Sequence, residues 1–139
     1  MTTSNITRKQ VPEHKRLSHT AKLFGLNFPL QLEPLVYAIT DKIADDYNGG
    51  YWEFYKLSNE GFYMAAPHSD TPFNVCCENG FEGQLSGDAL GITACLYAYS
   101  LLSFSGKNGF DETCAQHYHW LRDYMLEHPE AGAILGAID

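Results

Sequence analysis

Gly49-Gly50-Tyr51-Trp52-Glu53-Phe54-Tyr55-Lys56-Leu57-Ser58-Asn59-Glu60-Gly61-Phe62-Tyr63-Met64-Ala65-Ala66-Pro67 is the stretch whose pattern decides the fold. Two aromatic, strand-like runs, residues 51–57 and 62–66, flank the turn Ser58-Asn59-Glu60-Gly61, so the segment reads as a β-hairpin. With a period of two, Tyr51, Glu53, Tyr55 and Leu57 share one face, and Trp52, Phe54 and Lys56 share the other. Rings on both faces imply that one face covers the core while the other meets a helix or a partner. A second hairpin is expected from residues 73–78 and 81–85, joined by Asn79-Gly80, both of which tolerate positive φ. Between the hairpins, Pro67 and Pro72 bracket a polar loop with His68, Ser69 and Asp70. Four short strands with tight turns predict an antiparallel meander.

Helices are expected on both sides of the strands. Upstream, Pro12 suits the first turn of a short helix over residues 13–23, and Gly25 and Pro29 break residues 24–31. Leu32, Leu35, Val36, Ile39, Ile43 and Tyr47 form one stripe at helical spacing, which Asn48-Gly49-Gly50 ends. Downstream, Ser86 is a good N-cap and Asp88 complements the dipole of a helix over residues 87–104. That helix is apolar on almost every face, which places it at the centre of the core. Asp111 is placed to cap a further helix ending near His128, with Cys114, Tyr118, Leu121 and Met125 on its buried side. Pro129 opens a last short helix with Ile134, Leu135 and Ile138. The expected class is α+β: a meander of about four short strands packed with about four to five helices, in the order helices, strands, helices. Residues 1–12 are expected to be a flexible basic arm, and residues 13–139 a single domain.

At 139 residues, with 45% hydrophobic and 19% charged residues, the chain has enough apolar material for a core of its own. Residues 1–12 lack the apolar run of a secretory signal. The uncharged stretch 89–106 carries Thr93, three serines and two tyrosines, so a buried helix fits it better than a membrane span. The four cysteines, Cys76, Cys77, Cys95 and Cys114, show no CxxC spacing and are expected to be reduced in the cytoplasm.

Charge is divided unevenly. Residues 1–22 hold five basic side chains against Glu13, a net +4, while residues 23–139 hold four against sixteen acids, a net −12. The acidic body should repel a phosphate backbone, so DNA binding is not expected of it; the basic arm is the one segment suited to an anionic partner.

No motif for catalysis stands out. Cys114, His117, His119 and His128 were the candidates for a metal, but His117 and His119, two apart on a helix, project to nearly opposite sides. A core cysteine and surface histidines account for them. There is no GxSxG elbow. Asp123 and Glu127 share a helical face as a solvated pair would. The acids Asp41, Asp45 and Asp46, and Asp123, Glu127 and Glu130, form local patches. Neither makes the long stripe, at one charge per ~1.7 Å, that a mimic of duplex DNA requires. A local acidic patch that docks on a basic protein surface is easier to support.

Against this background the chain resembles the ArdB/KlcA antirestriction proteins of plasmids and other mobile elements. The resemblance rests on Tyr47-Asn48-Gly49-Gly50 with Trp52, Phe54 and Tyr55, then Leu57-Ser58-Asn59. It continues through Gly91-Ile92 with Cys95, Tyr99-Ser100, Tyr118, Leu121-Arg122-Asp123-Tyr124, His128-Pro129-Glu130 and Ile138-Asp139. It implies a compact α+β inhibitor of type I restriction–modification enzymes, acting in the bacterial cytoplasm to protect incoming DNA. It implies no catalytic residue, no cofactor and no metal, and it makes a type I restriction–modification complex the expected partner. Asp123, Glu127, Asp139, Tyr51 and Tyr55 are the expected partner-binding residues. The rival readings are a small metal- or cysteine-dependent hydrolase, and a DNA-binding accessory protein that uses the basic arm.

Overall fold

Two small antiparallel sheets and four α-helices surround a fifth helix, as a computed structural model describing residues 5–139 shows. The first sheet has the order β1-β2-β3, from Arg8–Gln10 (β1), Glu53–Leu57 (β2) and Phe62–Ala65 (β3). The second pairs Phe73–Cys76 (β4) with Glu82–Leu85 (β5). The helices are Arg16–Phe24 (α1), Glu33–Ile43 (α2), Gly87–Leu102 (α3), Phe110–Met125 (α4) and Ala131–Ile138 (α5). The α+β class and the order of elements agree with the sequence reading. The four expected strands, however, form two separate hairpins rather than one meander, because the loop between Pro67 and Pro72 carries the chain off the edge of β3.

The aromatic hairpin forms in the expected register, with Phe54 opposite Met64 and Tyr55 opposite Tyr63. Its turn is anchored by Asn59, whose side chain accepts from Gly61 N at 3.1 Å and donates to Trp120 O at 2.9 Å. Trp52 and Phe54 face the core, where Phe54, Phe62 and Phe28 meet edge to face with centroids 5.5–5.9 Å apart. Edge-to-face pairs of this kind add ~1 kcal/mol each beyond the area they bury. Tyr55, on the opposite face, is half-buried by Arg8 and Tyr63.

α3 is central, as its sequence implied, and packs against β3, α2, α4 and α5. Ser86 caps it, accepting from Ala89 N at 3.1 Å. Gly91 lets the helix lie on the backbone of β3, since a Cβ there would fall 2.1 Å from Met64 O. Cys95 Sγ accepts from Met64 N at 3.4 Å, and Tyr99 Oη donates to Phe62 O at 2.7 Å, so three successive turns of α3 fix β3 in place.

Four further features differ from the sequence reading. Of the arm expected to be flexible over residues 1–12, residues 1–4 lie outside the described residues, and Arg8–Gln10 form β1. Val11 N donates to Phe54 O at 2.8 Å, and Ser58 N to Thr7 O at 2.8 Å. The pairing comes from an available edge of β2, which no local pattern in Arg8-Lys9-Gln10 reveals. Second, Phe28–Leu32, expected to be irregular, forms a π-helical turn that runs directly into α2. Third, α2 ends at Ile43 rather than near Tyr47, because Ala44 leaves it to bridge Val75 of β4. Fourth, His117 is buried at 2% exposure instead of lying on the surface, whereas Tyr118 is only half-buried.

Candidate functional site

One half-buried carboxylate collects side chains from three distant parts of the chain. Asp88, in the first turn of α3, accepts from Arg8 of β1 and from Tyr63 of β3 through Oδ1, both at 2.7 Å. The Arg8 guanidinium also donates to Tyr63 Oη at 2.7 Å, closing a triangle. Through Oδ2, Asp88 meets His128 Nε2 at 2.8 Å. His128 Nδ1 accepts from Glu130 N at 3.0 Å, so the ring carries its proton on Nε2 and donates it to Asp88. Burial pushes the Asp88 carboxyl up, but the hydrogen bonds from His128 and Tyr63 and the Arg8 charge outweigh it, so the group sits below its ordinary value. Burial and the neighbouring Asp88 carboxylate raise the Tyr63 phenol well above its usual range.

Stacked rings widen the cluster. Arg8 lies 4.1 Å over the Tyr55 ring, Tyr55 stacks on Tyr63 at 5.3 Å, and Tyr63 stacks on Tyr124 at 5.8 Å. Glu130 ties the chain before α5 to the start of α3, accepting from Ser86 N at 2.9 Å and from Ser86 Oγ at 2.5 Å.

A cleft of about 660 Å³ opens beside this network. Arg8, Glu53, Tyr55 and Asp88 line one part of it, and Gly50, Tyr51, Pro67 and His68 another. Gly50 is packed against Pro67, and a Cβ there would lie 2.8 Å from Pro67 Cγ, so the backbone of Gly50 lies directly against the proline ring. Tyr51 projects from the rim at 54% exposure, with its ring 4.8 Å from the Arg16 guanidinium. The cleft therefore offers two tyrosine rings, a cation and three carboxyl or imidazole groups to anything that enters.

Of the residues expected to bind a partner, the structure brings Tyr51 and Tyr55 together in this cleft. Asp123 and Glu127 are exposed on either side of Tyr124 in the chain, and Asp139 is exposed at the end of α5; none of the three lines the cleft. Glu130 is engaged with Ser86 and is not part of a free acidic patch. Nothing in the linear sequence joins Arg8, Tyr63 and His128 to Asp88: Arg8 and Asp88 are 80 residues apart, and each residue has an ordinary structural reading on its own.

Both His128 nitrogens are occupied, which leaves none to take a proton from a bound molecule. Burial pushes the Cys95 and Cys114 thiols up to about 12, far from the thiolate a nucleophile needs. Burial, and then the nearby His19, hold His117 at about 4, with its ring wedged against Phe24, Tyr99 and Trp120. Among the described residues no three His, Cys, Asp or Glu side chains converge as metal ligands, and no helix is long and apolar enough to cross a membrane.

Comparison with known proteins supplies the family. Residues 45–139 match the family model described as antirestriction protein. An antirestriction protein KlcA of Escherichia coli is 39% identical over 136 residues, covering 96% of this chain and 95% of the relative. The uncharacterized protein YafX of Escherichia coli strain K12 is 40% identical, over 96% of this chain and 88% of its own length. A solved structure superposes with a TM-score of 0.89 at 38% identity and covers all of both chains. It comes from work on the KlcA and ArdB proteins that describes a novel fold and antirestriction activity against Type I DNA restriction systems in vivo but not in vitro. On the match over residues 45–139 and the nearly full-length similarity to KlcA, this chain belongs to the antirestriction protein family.

Proposed function

We propose that this protein relieves type I restriction in the bacterial cytoplasm and so protects incoming plasmid or mobile-element DNA, acting by binding and not by catalysis. The observation that carries the proposal is the agreement of fold and sequence along the whole chain with a protein active against Type I systems in vivo. That the same work found no activity in vitro favours an action that needs a further cellular component over simple occlusion of a purified enzyme. The binding reading is supported by the engaged nitrogens of His128 and by the buried, protonated thiols of Cys95 and Cys114.

The contact surface we assign is the cleft rim with Tyr51 and Tyr55, with the exposed acids Asp123, Glu127 and Asp139 as a second surface. Tyrosine rings accessible beside a braced cation, Tyr51 exposed and Tyr55 half-buried, are the composition that protein interfaces favour. The partner is a type I restriction–modification complex or a protein that acts with it. The test is the plating of unmodified phage on cells with a type I system and on otherwise identical restriction-deficient cells. Relief confined to the restricting strain supports the proposal. Equal plating with and without the folded protein, across several type I systems, rejects it.

A further inference from the structure

On a different face, β1, α1 and β2 form a second cleft of about 340 Å³. Four lysines line it: Lys9 from β1, Lys15 from the turn before α1, Lys22 from α1 and Lys56 from β2. Gln10, Ser18 and His19 complete its polar lining, and no carboxylate contributes to it. All four lysines are exposed, and none lies within salt-bridge distance of an acid among the described residues. Glu60 and Glu112 line an adjoining cleft that shares only Lys22 with this one. In a body whose remaining residues carry a net −12, this is a local reversal of sign.

The fold concentrates these charges against its own stability. Lys9 and Lys56 are direct partners in the β1–β2 register, so their side chains leave the same face of the sheet side by side. Like charges in that position destabilise a sheet. The strain reaches His19, whose imidazolium form is disfavoured first by burial and then by Lys56 and Lys22. His19 Nε2 is buried without a hydrogen-bond partner. The cross-strand lysine pair and the two further lysines are ammonium donors with no carboxylate to accept from them, beside an imidazole with one unpaired nitrogen.

We infer that this cleft binds a compact polyanion with two or more closely spaced phosphates, such as a nucleoside polyphosphate. Four lysines converging on one concavity match several phosphate oxygens within a few ångströms of one another, and charge-assisted bonds to them relieve the lysine repulsion. The cleft has the volume of a small-ligand site. A long nucleic acid would have to approach past the acidic remainder of the molecule, whereas a short polyanion is governed by charges within a Debye length of ~8 Å.

The experiment is isothermal titration of the full chain with inorganic tripolyphosphate near physiological salt, with ATP and a single-stranded oligonucleotide as parallel arms. Wild type is compared with Lys9→Gln/Lys56→Gln and with Lys107→Gln outside the cleft. The expected result is saturable one-to-one binding of tripolyphosphate, weakened about tenfold or more in the double variant and unchanged in Lys107→Gln. Without anion, the double variant is expected to melt no lower than wild type, because it loses a repulsive pair. With tripolyphosphate, only wild type and Lys107→Gln gain melting temperature. Absence of saturable binding, or equal weakening by Lys107→Gln, overturns the assignment. So does an oligonucleotide that binds where tripolyphosphate does not, which would indicate a nucleic-acid backbone instead.

Discussion

His117 shows how a residue that looks available for chemistry can be consumed by packing. Its ring lies 4.7 Å from that of Phe24 and 5.0 Å from that of Trp120, and burial keeps it neutral down to about pH 4. The unfolded chain takes up that proton near the ordinary value of 6.5, so the unfolded state binds more protons between these limits. The contribution to stability is therefore complete above about pH 6.5 and declines as pH falls towards 4. Between pH 7 and pH 5 wild type should lose about 2 kcal/mol from this group, and His117→Phe should keep most of that difference. Urea unfolding of both proteins at the two pH values checks it, and parallel losses would assign the effect elsewhere. Asp88 behaves differently, because a depressed carboxyl contributes stability that is present above its unfolded value near 3.8 and disappears only in stronger acid.

At the scale of elements, the sequence showed most where a single pattern determines the outcome. The aromatic hairpin, the Asn79-Gly80 turn and the Ser86 cap all formed where their residues placed them. β1 was not legible, because its three residues are exposed and polar and its pairing depends on the free edge of β2. The split of four strands into two hairpins was hidden for a similar reason, since turn residues report local geometry and not which edges meet later. Gly91 had a visible signal, a glycine inside a helix, whose meaning needed β3 beneath it. Gly91→Ala should destabilise the fold by about 3 kcal/mol or more, since the clash is with backbone that cannot move aside. A melting curve within a degree of wild type would contradict that packing. Arg8→Ala should release β1 from Asp88 and Tyr63 and speed amide exchange at Val11 and Ser58, while α3 amides hold. Unchanged exchange at both positions would mean that β1 is held without Arg8.

The molecule as a whole divides its surface by charge and by ring content. The basic residues near the N-terminus gather around β1 and α1, and the acids are spread over the rest. Family and fold class were legible because ordered motifs run through most of the chain. The candidate site was half legible: Tyr51 and Tyr55 stood out as exposed-face aromatics, whereas Arg8, Tyr63, Asp88 and His128 meet only after folding. The acids Asp123, Glu127 and Asp139 lie apart from the cleft, so the two surfaces can be tested separately. Replacing those three acids with their amides should impair protection without unfolding the protein if they form a second contact. Full protection by a folded triple variant would confine recognition to the cleft rim. Tyr51→Ala should change stability by no more than about 1 kcal/mol, since the ring is mostly exposed and rests on one cation. The most direct test is plating of unmodified phage on restricting and restriction-deficient cells that express either wild type or Tyr51→Ala at matched levels. The account predicts that wild type restores plating only in the restricting strain and that Tyr51→Ala gives at least about tenfold less relief. It is contradicted if wild type gives no relief, or if a folded Tyr51→Ala protects as well as wild type.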